Sequence, residues 1–138
     1  VVGYGYGDYV AMRKGGKLCT PNNPIDISLF GTSFPTLEQM ESASPCRMVS
    51  ENTPPMFLWC TSQDELVPSE QTLIMGLALA RQGIDYEIHI FEKGKHGYSL
   101  ADQSTASHDY QISESVAKWT DLVKPWLYDH IPVNECED

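Results

Sequence analysis

The 138 residues fit one modest domain, and 9 Lys and Arg against 19 Asp and Glu leave a formal net charge of −10. That charge repels phosphate backbones and anionic lipid headgroups, which argues against nucleic acid or a membrane surface as partner. Hydrophobic residues make up 41% and charged ones 20%, the balance of a globular chain, and no apolar run has the length needed to span a bilayer.

The first predicted element lies in residues 1–7. The run "VVGYGY" reads as the end of a strand that breaks into a turn rich in glycine, at Gly3, Gly5 and Gly7. It has neither a basic start nor a long apolar core, so it is no signal peptide. Opening on a β-prone run with no methionine, the chain is expected to be a fragment or a trimmed product. Residues 8–54 are punctuated by Pro21, Pro24, Pro35, Pro45 and Pro54 and read as a long connection. One small helix is predicted there over "PTLEQMES", with Thr36 or Pro35 near its start and Glu38 in its first turn.

Residues 55–130 carry the periodic signal. The unbroken apolar run from Met56 to Cys60 is how a strand covered on both faces reads, so it is predicted to be central in a parallel sheet. A helix follows from Pro68 to Gln82, with Leu73, Leu77 and Ala80 on one line, and Gly83 supplies its stop. In "DYEIHIFE" Tyr86, Ile88 and Ile90 alternate with Glu87, His89 and Phe91, which gives a second strand. Strand, helix and strand make a βαβ unit with a right-handed crossover. A polar loop from Lys93 to Ser113 leads to an amphipathic helix marked by Val116, Trp119, Val123, Trp126 and Leu127, which Pro125 should kink or restart. The acidic tail, residues 131–138, is expected to fray.

Parallel strands send their following loops to one sheet edge, where reacting groups gather. One such loop carries Asp64 and the other His96, between Gly94 and Gly97. A carboxylate there would hold the imidazole in one tautomer and stabilise it once protonated. Spacing alone leaves rival readings open: His96 as a solvated loop residue, Asp64 as a turn or cap residue, and Glu65 as a substitute acid. His89 in a strand, His108 in the loop and His130 at a helix end read as structural. Tyr4, Tyr6 and Tyr98 could line a cleft, with packing the simpler role. Cys19, Cys46, Cys60 and Cys136 show no CxxC pair or ligand spacing, so no zinc is expected, and reduced thiols point to a cytoplasmic setting.

The stretch from Thr53 to Leu100, "TPPMFLW", "TSQDELVP", "EIHIF" and "GKHG" in order, closely resembles the C-terminal part of α/β-hydrolases of the acetyl esterase and acetylxylan esterase type. "SLFGTSFPTLEQMESASPCRMVSENTPP" is similar to that family's lid-side connection and "WTDLVKPWL" to its closing helix. The resemblance implies a three-layer, partial α/β-hydrolase fold: a short, mostly parallel sheet flanked by helices in a single domain, residues 1–138. It implies Asp64 as triad acid, His96 as triad base, a small acyl-ester substrate such as an acetylated sugar, and no cofactor or metal. The family's nucleophile is a serine in G-x-S-x-G upstream of both, and these residues contain no such motif. A triad works as a unit, so the chain is expected to be inactive alone. Its exposed N-terminal strand edge is expected to favour self-association. Two alternatives stand beside this reading: a serine peptidase of the prolyl-oligopeptidase type, and a non-enzymatic flavodoxin-like binding module in which Asp64 and His96 would not touch.

Overall fold

Met56–Thr61 forms β2, the middle strand of a three-stranded sheet, with β1 (Val2–Gly3) on one side and β3 (Tyr86–Phe91) on the other, both parallel to it. The computed structural model describes residues 1–15 and 23–131. Five of the six β2 residues are buried, as the unbroken apolar run predicts for a strand covered on both faces. Register places Trp59 opposite Gly3 and His89, and Leu58 opposite Val2 and Ile88.

The two faces of β2 take different covers. Phe57 meets Trp126 edge to face at 5.8 Å between centroids, and Trp59 stacks on Trp119 at 4.8 Å. These rings bind the sheet to α6 (Trp119–His130), and Val116 of α5 (Glu114–Ala117) joins the same core. The opposite face carries α4 (Glu70–Arg81). A Cβ on Gly76 would meet Ile88 Cδ1, so a side chain there would require the Ile88 side chain to shift. The result is the predicted helix, sheet and helix layering.

The buried side of α4 corrects the predicted one. Leu73 and Leu77 are about half exposed, whereas Thr72, Gly76 and Leu79 face inward. Apolar residues surround this helix, so periodicity alone selects no face. Its C-terminus is a Schellman motif, with Gly83 N–H donating to Ala80 O, Ile84 N–H donating to Leu79 O, and Gly83 at φ 68°.

Residues 8–54 hold more helix than the sequence reading allows. Besides α3 (Leu37–Ser42), capped by Thr36 as expected, they contain α1 (Tyr9–Gly15), α2 (Pro24–Phe30) and a 3-10 turn at Pro45–Arg47. Helices of seven residues have little independent stability. These are pinned by tertiary bonds: Tyr9 Oη donates to Asp26 Oδ1 at 2.7 Å, Arg13 pairs with the fully buried Asp26, and Tyr9 N–H donates to Ser44 Oγ at 2.9 Å. Gln71 Oε1 on α4 accepts from both Gly7 and Asp8 N–H, joining this region to the βαβ unit. The helix does not restart at Pro125, since α6 runs through it and the break falls at Lys118. Asp121, whose carbonyl loses its donor to Pro125, lies on the exposed face, where water can replace the bond. Pro21, Cys19, Cys136 and residues 132–138 of the predicted tail lie outside the described residues.

Candidate active site

β2 and β3 run parallel, so the loops after Thr61 and Phe91 leave the same edge. Asp64 sits in the first, its carboxylate fully buried. Its two oxygens have separate duties. Oδ1 closes a turn by accepting from Leu66 N–H at 2.8 Å and Val67 N–H at 2.9 Å. Oδ2 lies 2.7 Å from His96 Nδ1. Asp64 thus closes a turn with one oxygen and meets His96 with the other. An ionised carboxylate only accepts, so this contact places the ring proton on Nδ1 and leaves the lone pair on Nε2. The imidazole is 35% exposed and lines an open cavity of about 250 Å³ with Glu65, Leu66, Lys95 and Tyr110. A ring held this way can take a proton from a hydroxyl and return it to a leaving group.

The loop bearing His96 is tied down along its length. Gln111 Nε2 donates to Gly97 O at 2.6 Å, Trp119 Nε1 donates to Ser99 O at 2.9 Å, and Tyr98 is buried in the core. Gly94 at φ 135° adopts a backbone conformation that side chains rarely reach, and a Cβ there would also meet Thr61 Cγ2 at 2.8 Å.

Tyr4 closes the site from β1. Its N–H donates to Trp59 O at 3.0 Å, and its ring stands edge to face on Trp59 at 4.7 Å and on His96 at 5.1 Å. The backbone there is left-handed, with φ 57°, which costs a residue with a side chain about 1–3 kcal/mol. The Tyr4 hydroxyl is enclosed beside Thr61 and the Tyr98 backbone without a well-formed hydrogen bond. Burial first, and the nearby Asp64 charge second among the raising influences, push this phenol well above its ordinary range. Sequence reasoning noted Tyr4 only as a cleft-lining residue; its position between Gly3 and Gly5 was the available signal of an unusual backbone.

The remaining candidates are placed as follows. His89 Nε2 lies 2.6 Å from Glu87 Oε1, His108 stacks on Tyr110, and His130 stacks on Trp126 and bonds its carbonyl. Tyr6 packs on Tyr9 and lines a small apolar cavity of about 120 Å³, away from His96. Glu65 lines the cavity, whereas Asp64 makes the Nδ1 contact. Cys46 and Cys60 are free thiols, and burial raises the pKa of both.

A sequence profile of the prolyl oligopeptidase family matches residues 20–127. The chain belongs to the prolyl oligopeptidase family. Solved structures with this fold include a carboxylesterase from Lactobacillus plantarum, 25% identical, with a TM-score of 0.72 over 92% of this chain and 42% of that one. An acetyl ester-xyloside bifunctional hydrolase from Caldicellulosiruptor lactoaceticus is 38% identical, with a TM-score of 0.59 over 70% of this chain and 32% of that one. Among curated proteins, endo-1,4-beta-xylanase B of Butyrivibrio fibrisolvens is 35% identical over 68 residues, which are 49% of this chain and 11% of the xylanase. The chain thus spans less than half the length of each of these relatives. The three-stranded sheet and its helices are part of an α/β-hydrolase fold, and this prolyl oligopeptidase family member is related to hydrolases that include esterases. Among the described residues no helix is long and apolar enough to cross a membrane.

Proposed function

We propose that this chain is the acid- and base-bearing C-terminal part of a serine carboxylesterase that hydrolyses small acyl esters, acetylated sugars of the xylan type among them. The observation that carries the proposal is the 2.7 Å contact between His96 Nδ1 and the buried Asp64 Oδ2 at the sheet edge. It opposes the flavodoxin-like alternative, which required these side chains to stay apart. The names of the 25% and 38% identical relatives, a carboxylesterase and an acetyl ester-xyloside hydrolase, support an ester over a peptide. Family membership by itself keeps the peptidase as the second reading.

In the proposed reaction a serine hydroxyl attacks the acyl carbonyl while His96 Nε2 takes its proton. The imidazolium, steadied by Asp64 through Nδ1–H, then protonates the departing sugar oxygen. Water, activated by the same nitrogen, releases the acid from the acyl-enzyme. No G-x-S-x-G occurs in these residues, so in this proposal the serine would come from hydrolase sequence outside them.

The test compares nitrophenyl acetate, acetylated xylo-oligosaccharide and a peptide anilide. The 138-residue chain should turn over none of them above its His96→Ala control. The complete hydrolase should cleave both esters and lose that activity on His96→Ala. Activity of the short chain that depends on Asp64 would reveal a nucleophile within it, and preferential anilide cleavage by the complete hydrolase would establish the peptidase reading.

A further inference from the structure

We infer that Tyr4 is a positioning residue, whose ring edge clamps the His96 imidazole in the plane that reaches Asp64. The inference rests on the reading of His96 as the base. It starts from two unfavourable features at one residue. Tyr4 holds a left-handed backbone, and its hydroxyl is buried without a good partner. The Tyr4 N–H supplies the last bond of the β1–β2 ladder, to Trp59 O, but neither the positive φ nor the enclosed hydroxyl takes part in that bond. What the left-handed turn achieves is direction. It bends the chain off the end of β1 and swings the side chain across the sheet edge, onto Trp59 and His96 together.

The contact is suited to orienting an imidazole. Edge-to-face pairs favour one ring plane over others, which simple apolar contact does not. The Tyr4 and His96 planes cross at 65°, and those of Tyr4 and Trp59 at 69°. Trp59 is itself fixed, 4% exposed and stacked on Trp119 at 13°. Tyr4 thus relays a rigid core element to a half-exposed ring. Asp64 fixes one atom of that ring through Nδ1, and rotation about the bond remains. The Tyr4 edge restrains that rotation. Enclosure of the hydroxyl beside Thr61 also fills space from which water could reach Asp64.

The test reads the His96 Nδ1 proton by nuclear magnetic resonance in the 138-residue chain, as a hydrogen-bonded signal with a measurable exchange rate with water. Tyr4→Leu keeps apolar bulk and the same backbone demand while removing the aromatic edge. It should speed exchange roughly tenfold, the factor equivalent to one edge-to-face pair. Tyr4→Phe, which retains the ring, should restore the slow rate, whereas a merely space-filling role would let leucine serve equally. A folded Tyr4→Leu chain with unchanged exchange would overturn the inference. Should that variant not fold, cross-peaks between the Tyr4 and His96 rings in the unaltered chain decide: their presence supports the clamp and their absence refutes it. The catalytic reading fails by a separate signature, namely hydrolysis by the complete enzyme that survives His96→Ala.

Discussion

Replacing Asp64 separates its two duties. Asp64→Ala removes the acceptor of two backbone donors. Val67 N–H is buried, and orphaning it costs about 1–3 kcal/mol, while Leu66 is 44% exposed, so its N–H can reach water and loses roughly 0.5–1 kcal/mol. The sum is roughly 2–4 kcal/mol, a large share of a small domain's stability. Asp64→Asn keeps an oxygen on the Oδ1 side and should cost only about 1 kcal/mol, for exchanging charged acceptors for neutral ones. Its amide nitrogen then faces Nδ1 as a donor, which forces the ring proton onto Nε2 and removes the lone pair that would accept the serine proton. In the complete hydrolase that should lower kcat about 10,000-fold. Urea unfolding followed by tryptophan fluorescence gives the first quantity, and initial rates on an acetyl ester give the second. Equal destabilisation by Ala and Asn would show that Oδ1 does not hold the turn. Full activity of the Asn variant would show that the His96 contact has no catalytic use.

Three further outcomes follow from particular packing. Leu79 is fully buried on α4, and Leu79→Ala should lower stability by about 2–5 kcal/mol in the same urea experiment. Gly94→Ala should destabilise by more than about 1 kcal/mol, because alanine tolerates neither φ 135° nor the 2.8 Å approach to Thr61, and a unfolding midpoint unchanged from the parent would contradict that geometry. With its pKa raised by burial, each of the Cys46 and Cys60 thiols holds less thiolate at a given pH than a free cysteine. A charged alkylating reagent at mildly alkaline pH should leave the 1% exposed Cys60 unmodified in the native chain and label it in urea, as peptide mass mapping would show.

The legible parts of the sequence were those in which one local pattern had one structural meaning. Met56–Cys60 could only be a strand covered on both faces, and the alternation in "DYEIHIFE" gave the next. Once those strands were parallel, Asp64 and His96 had to share an edge, and only their contact remained to be seen. What stayed hidden depended on partners distant in the chain. The helices at Tyr9–Gly15 and Pro24–Phe30 run for only about two turns and are held by Asp26, Ser44 and Gln71. The inward face of α4 was obscured because leucines lie on both sides, with Leu79 buried and Leu73 and Leu77 about half exposed. Tyr4 was hidden for a related reason, since a left-handed residue between two glycines has no periodic signature.

The bond from Trp119 to Ser99 gives the last helix a second responsibility. A premature stop between the 3-10 turn at Asp109–Gln111 and Trp119 would spare every strand among the described residues, Asp64 and His96. It would still remove the indole that stacks on Trp59 and anchors the carbonyl three residues past the imidazole. Such a chain would retain both members of the Asp64–His96 contact and lose the tether that keeps the loop in place, so an intact motif is an incomplete sign of an intact site.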